Sequence, residues 1–235
     1  HIASYVILLL FLVSQYIVGG FITRFLFGES SSFFARVAAF LTGVTVSVPV
    51  SYFLSVLLVT TGQPILWGVL VFEILTLVCF ASYLTRRNTK KITSRIHVDY
   101  SLLLFVVFAF VFSWWIMTKT LHGGPAGEVF VGSNNVFDFG HALGIVRSFS
   151  WGDNIPFASP FRAGLPFFYH FFFLYWSGLW EYFGVPLVWA MNILSILSFF
   201  ALLVMVYYPP QRILKQGKLV GWVTVILTIT HSTLT

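Results

Sequence analysis

YSLLLFVVFAFVFSWWIM, residues 100–117, carries no charged side chain and closes on the pair Trp114-Trp115. A helix needs about 20 predominantly apolar residues to cross a bilayer. Tryptophan is favoured at the headgroup level, where an amphipathic ring meets both media. This stretch therefore reads as a membrane-spanning helix ending at an interface, and it sets the terms for the rest of the chain.

Working outward, further apolar runs of comparable length appear. They are Ile2 to Phe21, Phe33 to Val59 with Pro49 inside, and Ile65 to Leu84 on the N-terminal side. Pro166 to Phe183, Pro186 to Tyr208, and a last run from Leu219 to Thr235 lie on the C-terminal side. The proline is tolerated because neighbouring helices can satisfy the backbone groups it frees. The expectation is an all-α polytopic bundle of six to seven spans, with one long extracytoplasmic loop carrying a short surface helix.

Composition agrees. Hydrophobic residues make up 58% of the 235 and charged residues only 9%. A soluble domain carries about 25% charged residues, so a water-facing surface is excluded. The 28 Phe, 10 Tyr and 8 Trp suit acyl chains and headgroups. The net charge of +6 is topological rather than a nucleic-acid footprint, because Lys and Arg gather between the apolar runs. Membrane lipids are the expected partners, and nucleic acid is not. The single Cys79 allows no disulfide within the chain and reads as a small packed apolar side chain. The chain opens at His1 rather than Met and ends inside an apolar run, which suggests a piece of a longer protein.

The densest positive cluster is Arg86-Arg87-Asn88-Thr89-Lys90-Lys91 with Arg95. The positive-inside tendency puts it in the cytoplasm. It divides the chain into three N-terminal helices (1–85), a basic loop (86–98) and a second module (99–235). If every run crosses once, the loop with Arg212, Lys215 and Lys218 falls on the opposite side from this cluster. Either the tendency fails there or the run at Pro166 does not cross fully.

Residues 118–165 form the longest stretch that is not simply apolar, and they hold Glu128, Asp138 and Asp153. Phe139, Ala142, Leu143, Val146 and Phe149 recur at helical spacing, predicting a short amphipathic helix on the membrane surface. Asp138 and His141, three apart, share a face near its start. A carboxylate and an imidazole so placed can act as base and acid or hold a divalent metal, or can simply open the helix. Ser150-Trp151-Gly152-Asp153-Asn154-Ile155-Pro156 reads as a turn that presents Asp153 and Asn154. Tyr169 and His170 sit just inside the next apolar run, where ionisable groups face a polar cavity or a partner. Glu73 lies deep within its own run and needs a partner too. No P-loop, HExxH, CxxC, GxSxG or channel-filter motif is present.

The order of a membrane helix, a loop opening on an acid, a surface helix, Gly152-Asp153-Asn154-Ile155-Pro156, and Gly164-Leu165-Pro166-Phe167-Phe168-Tyr169-His170 resembles the N-terminal part of the GT-C glycosyltransferases. In plan it is similar to protein O-mannosyltransferases and the aminoarabinose transferases of lipid A. It looks closest to a group of large bacterial membrane proteins with a loop of this type. The resemblance covers roughly residues 99 to 208. It implies transfer of a sugar from a polyprenyl-phosphate donor at the extracytoplasmic face of the bacterial inner membrane. Asp138 then takes the place of the first-loop acid, as base or metal ligand together with His141, and Arg147, Asp153, Asn154, Tyr169 and His170 line the substrate site. The chain departs from the family in having three preceding helices and no second acid beside Asp138. Two other readings stand beside this one. One is a non-catalytic subunit packed against other membrane subunits; the other is a transporter using Glu73 and His170.

Overall fold

The computed structural model describes residues 2–27, 32–86, 99–125, 127–132, 136–152, 154–162, 170–212, 215 and 217–231. Among the described residues eight α-helices follow one another: α1 (Ile2–Phe27), α2 (Phe33–Leu57), α3 (Pro64–Arg86), α4 (Tyr100–Thr120), α5 (Val136–Ser150), α6 (Phe172–Tyr182), α7 (Leu187–Arg212) and α8 (Lys218–His231). A two-stranded antiparallel hairpin, β1 (Leu121–Gly123) and β2 (Val129–Val131), joins α4 to α5. Among the described residues, α1, α2, α3, α4 and α7 are long and apolar enough to cross a membrane. The protein is an all-α polytopic integral membrane protein. Its surface follows from that: Leu9, Phe53, Ile74, Leu104 and Leu227 are all exposed apolar side chains that lipid can cover.

The spans pack through small residues where backbones must approach. A Cβ on Gly19 of α1 would overlap the Ala39 carbonyl of α2, and one on Gly43 of α2 would overlap the Gln15 carbonyl of α1. In lipid, where apolar contact alone gives helices no preference for one another, such close crossings supply the association energy. α1 and α3 run parallel, with Phe11 against Phe72 at 5.5 Å and Phe21 against Phe80 at 6.3 Å between ring centroids. α4 and α7 run antiparallel, with Phe105 stacked on Tyr207 at 3.8 Å and Trp114 beside Trp189 at 5.7 Å. Trp222 of α8 closes against Phe105 at 5.3 Å.

Among the described residues the run at Pro166 does not become a full span. Its described helix, α6, holds 11 residues, about 16 Å at 1.5 Å per residue, and a bilayer core is about 30 Å thick. Residues 174 to 180 of α6 are nonetheless all buried. The segment is apolar because protein surrounds it, not because it crosses. α8 is also short, with an apolar stretch of Lys218–Thr230.

A correction to the expected topology follows. With α6 not crossing, α7 runs back from the α5–α6 end toward the start of α4. The Lys218 ammonium lies 2.7 Å from the Asp99 carboxylate, tying the start of α8 to the start of α4. Phe34 stacks on Tyr208 at 4.6 Å, and Arg24 donates to the Tyr83 hydroxyl at 3.3 Å. The ends of α1, α3 and α7 and the starts of α2, α4 and α8 thus share one face of the bundle. Among the described side chains that face collects Arg24, Arg36 and Lys218, and the charge conflict seen in the sequence disappears.

The other face is closed by α5, α6 and residues 154–162 of the segment between them. Tyr5 at the start of α1 donates to the Gly184 carbonyl at 3.3 Å, and Tyr52 near the end of α2 sits 4.9 Å from Phe171. Cys79 differs from its expected packing, being exposed on α3 rather than buried between helices.

Candidate functional site

The α5 helix forms where the sequence predicted one, and its apolar residues lie on one side. Ile145, Val146 and Phe149 are completely buried, with Phe139, Ala142 and Leu143 packed against the same core. That side is docked on α6 rather than laid on lipid. Gly178 makes the approach possible, since a Cβ there would sit 2.9 Å from the Val146 carbonyl and 2.8 Å from the Phe149 Cβ.

At the far end of the two helices is a polar clasp. Arg147 Nε lies 2.9 Å from Glu181 Oε1. Ser150 Oγ donates to Glu181 Oε2 at 2.6 Å. The Arg147 guanidinium also covers the Trp151 ring at 3.9 Å. Arg147 in the last turn of α5 is favoured by the helix dipole, whereas Glu181 in the last turn of α6 is not. The Glu181 side chain is only 7% exposed, so Arg147 and Ser150 supply the compensation its burial demands. Arg147 was expected to reach a substrate phosphate. Its charge is instead committed to Glu181, and it stands nine residues, two and a half turns, from Asp138 on the opposite side of α5.

The loop after α5 is braced from within. Asn154 Nδ2 donates to Ser148 Oγ at 3.1 Å and to the Ala158 carbonyl at 2.8 Å, while its Oδ1 accepts from the Ala158 amide at 3.0 Å. Three of its side-chain hydrogen bonds are therefore spent on the loop, leaving one lone pair of Oδ1 for anything else. The Phe157 amide donates to the Tyr52 hydroxyl at 2.9 Å, pinning the loop to α2, and the Ile155–Pro156 peptide is cis. Ser159 Oγ accepts from the Arg162 amide at 3.2 Å and turns the chain back over α5.

That return places Phe161 against His141, with ring centroids 4.4 Å apart and planes 23° from parallel. His141 is otherwise exposed on the outer side of α5, away from the face that meets α6. Asp138 lies one turn earlier on the same side by helical register, but its side chain is outside the described residues, as are Asp153 and Tyr169. His170 is exposed just before α6 begins. Glu73 is buried within α3. Among the described residues no group of three His, Cys, Asp or Glu side chains is positioned to hold a metal ion, and of the expected metal pair only the His141 side chain is described.

Sequence reasoning missed the partners more than the candidates. Glu181 is the counter-charge of Arg147. Asn192, buried in α7, donates to the Leu121 carbonyl at 2.8 Å and fixes the hairpin to the bundle. Neither pairing leaves a local signal, because the partners lie far apart in the chain. The chain matches no protein-family model, no curated protein and no solved structure.

Proposed function

We propose that this chain is a GT-C-like glycosyltransferase module, acting at the membrane face that carries α5 and α6. The observation that carries the reading is the placement of His141. It stands on the outer side of α5, at the end of the bundle opposite the Lys218–Asp99 pair, on a helix whose other side is locked to α6. The positive-inside tendency assigns the Arg24, Arg36 and Lys218 face to the cytoplasm of a bacterial inner membrane, which leaves the α5–α6 cap extracytoplasmic. A polyprenyl-phosphate sugar, whose isoprenoid chain lies in the bilayer, reaches such a cap from the side.

The chemistry asks little of the protein beyond a positioned base. The acceptor oxygen attacks the anomeric carbon, the bond from that carbon to the phosphate oxygen breaks, and the acceptor proton passes to the Asp138 carboxylate. Polyprenyl phosphate leaves with the electron pair. His141, one turn along α5, is assigned to hydrogen-bond the acceptor or the base. Asp153, Tyr169 and His170 are assigned to the rim of the same site. A divalent ion bound by Asp138 and His141 would offset charge on the leaving phosphate. Arg147 positions α5 on α6 rather than touching substrate, and Asn154 holds the loop in shape.

The test is transfer from a panel of radiolabelled polyprenyl-phosphate sugars by membranes carrying the full-length protein. Asp138→Ala should abolish incorporation, about a 10²-fold loss or more for removing a general base, and His141→Ala should lower it, both with normal protein levels. Transfer unchanged in Asp138→Ala defeats the reading.

One observation favours a second reading, a non-catalytic subunit: Arg147 and Asn154 are both consumed by internal contacts. On that reading the cap is a docking element. It predicts no transfer from any donor and co-purification of the wild-type protein with another membrane subunit.

A further inference from the structure

Three polar side chains are sealed inside the N-terminal helices. Gln15 of α1 has no exposed surface, and Glu73 and Thr76 of α3 are 4% and 6% exposed. Both amide atoms of Gln15 and Oε1 of Glu73 are buried without a hydrogen-bond partner in the described protein. The parallel register of Phe11 with Phe72 sets Gln15 level with Thr76, and Glu73 one turn nearer the cap. Around them Leu8, Phe11, Val69 and Phe72 are buried in one apolar cluster.

Leaving these groups unpartnered is expensive. An unbonded amide in an apolar setting loses the hydrogen bonds it had in water, and an isolated carboxylate loses far more. A cation would compensate the carboxylate, but among the described residues the neighbouring elements bring none to this level. On α1, Arg24 is more than two turns beyond Gln15 and bonded to Tyr83. On α2, Arg36 is exposed at the opposite end of the bundle. The remaining titratable groups of the three helices are also placed elsewhere. Tyr5 donates to Gly184, Tyr52 accepts from Phe157, and Tyr16 and Cys79 are exposed. A neutral carboxyl group solves the problem. It offers one donor and an acceptor, and the Gln15 amide offers the complements, directly or through a water.

We propose that Glu73 is a membrane-embedded proton-binding site, in which α1 and α3 hold a neutral carboxyl group against the Gln15 amide. The inference is independent of sugar transfer, since no group of the α5–α6 cap takes part. The probe is dicyclohexylcarbodiimide, applied to membranes carrying the full-length protein. The carboxyl proton passes to a carbodiimide nitrogen, the carboxylate oxygen adds to the central carbon, and an oxygen-to-nitrogen acyl shift leaves a stable N-acylurea.

Peptide mass spectrometry should place the adduct on Glu73. Glu73→Gln should remove it, and ion-paired Glu181 should stay unlabelled. Labelling should fall about tenfold for each unit of pH above the point at which the group loses its proton. Infrared difference spectra serve where the reagent cannot enter. Wild type minus Glu73→Gln should show a protonated carboxylic acid carbonyl band, and Gln15→Leu should shift that band without abolishing it. Absence of both the adduct and the band overturns the proposal. So does labelling indifferent to pH, protection by sodium ions in place of protons, or a band unmoved by Gln15→Leu.

Discussion

The guanidinium of Arg147 lies 2.9 Å from the carboxylate of Glu181, joining the last turns of two helices, α5 and α6. This contact makes a single capping unit of two segments, only one of which would have been assigned to the membrane surface from its sequence. Its energetics follow from unequal burial: Glu181 is 7% exposed at its side chain and Arg147 is 40% exposed.

Removing the partner of the more buried charge should therefore cost more than removing the buried charge itself. Breaking a fully buried pair costs about 3–5 kcal/mol, and solvent screening at Arg147 reduces that to about 1–2 kcal/mol here. Arg147→Met should destabilise the detergent-solubilised protein by this amount. Glu181→Gln, which keeps an acceptor for Ser150, should cost less. Thermal unfolding of the two variants and their double mutant gives the coupling energy directly.

The crossing of α1 and α2 depends on the absence of a side chain at two positions. Gly43→Val places methyl groups where the Gln15 carbonyl stands, and over-packing of this kind costs about 1–3 kcal/mol or more when backbone is the obstacle. The expected outcome is a lower unfolding temperature and poor recovery in detergent. Gly20→Ala, where a Cβ meets nothing within 4 Å, is the matched control and should be neutral or slightly stabilising.

The Asp99–Lys218 pair predicts a pH dependence with a defined sign. Hydrogen bonding from Lys218, ahead of the bonds from the Leu102 and Ser101 amides, holds the Asp99 carboxyl below its ordinary value of 3.8. A depressed value in the folded state means stabilisation that is fully present above the unfolded value and lost as pH falls through the folded one. The stability difference between wild type and Lys218→Met should be constant at neutral pH and shrink below about pH 4. Because the pair is exposed, high salt at neutral pH should shrink the difference too.

Asn154 should prove structural in a way that proteolysis can read. Asn154→Ala removes its bonds to Ser148 and Ala158, at about 1 kcal/mol each at most. Limited proteolysis should then cut within residues 154–162, with the spans unaffected. Asn154→Asp, which keeps the acceptor for the Ala158 amide, should be cut more slowly.

Much of this fold can be read from hydropathy alone, because lipid imposes a minimum length on each uncharged helix. The runs at Ile2, Phe33, Ile65, Tyr100 and Pro186 all form helices long and apolar enough to cross a membrane. The run at Pro166 misled because hydropathy registers burial without distinguishing lipid from protein, and α6 is buried among α2, α5 and α7. The amphipathic period of α5 was legible down to Val146 and Phe149. Its neighbour was not, since periodicity marks a face without naming what covers it. The place of His141 on the outer side of α5 is legible from spacing, whereas the ring of Phe161 upon it depends on the loop fold set by Asn154 and Ser159. Arg147 was assigned to a substrate because its partner, Glu181, stands on another helix.

The central claim is that α6 does not cross, so that the cap carrying His141 and the face carrying Lys218 lie on opposite sides of the membrane. In a Cys79→Ala background, His141→Cys and Lys218→Cys can be probed one at a time with a membrane-impermeant maleimide, in intact cells and after permeabilisation. The account predicts that the cysteine at 141 reacts in intact cells and the cysteine at 218 only after permeabilisation. Labelling of both from the same side would contradict it.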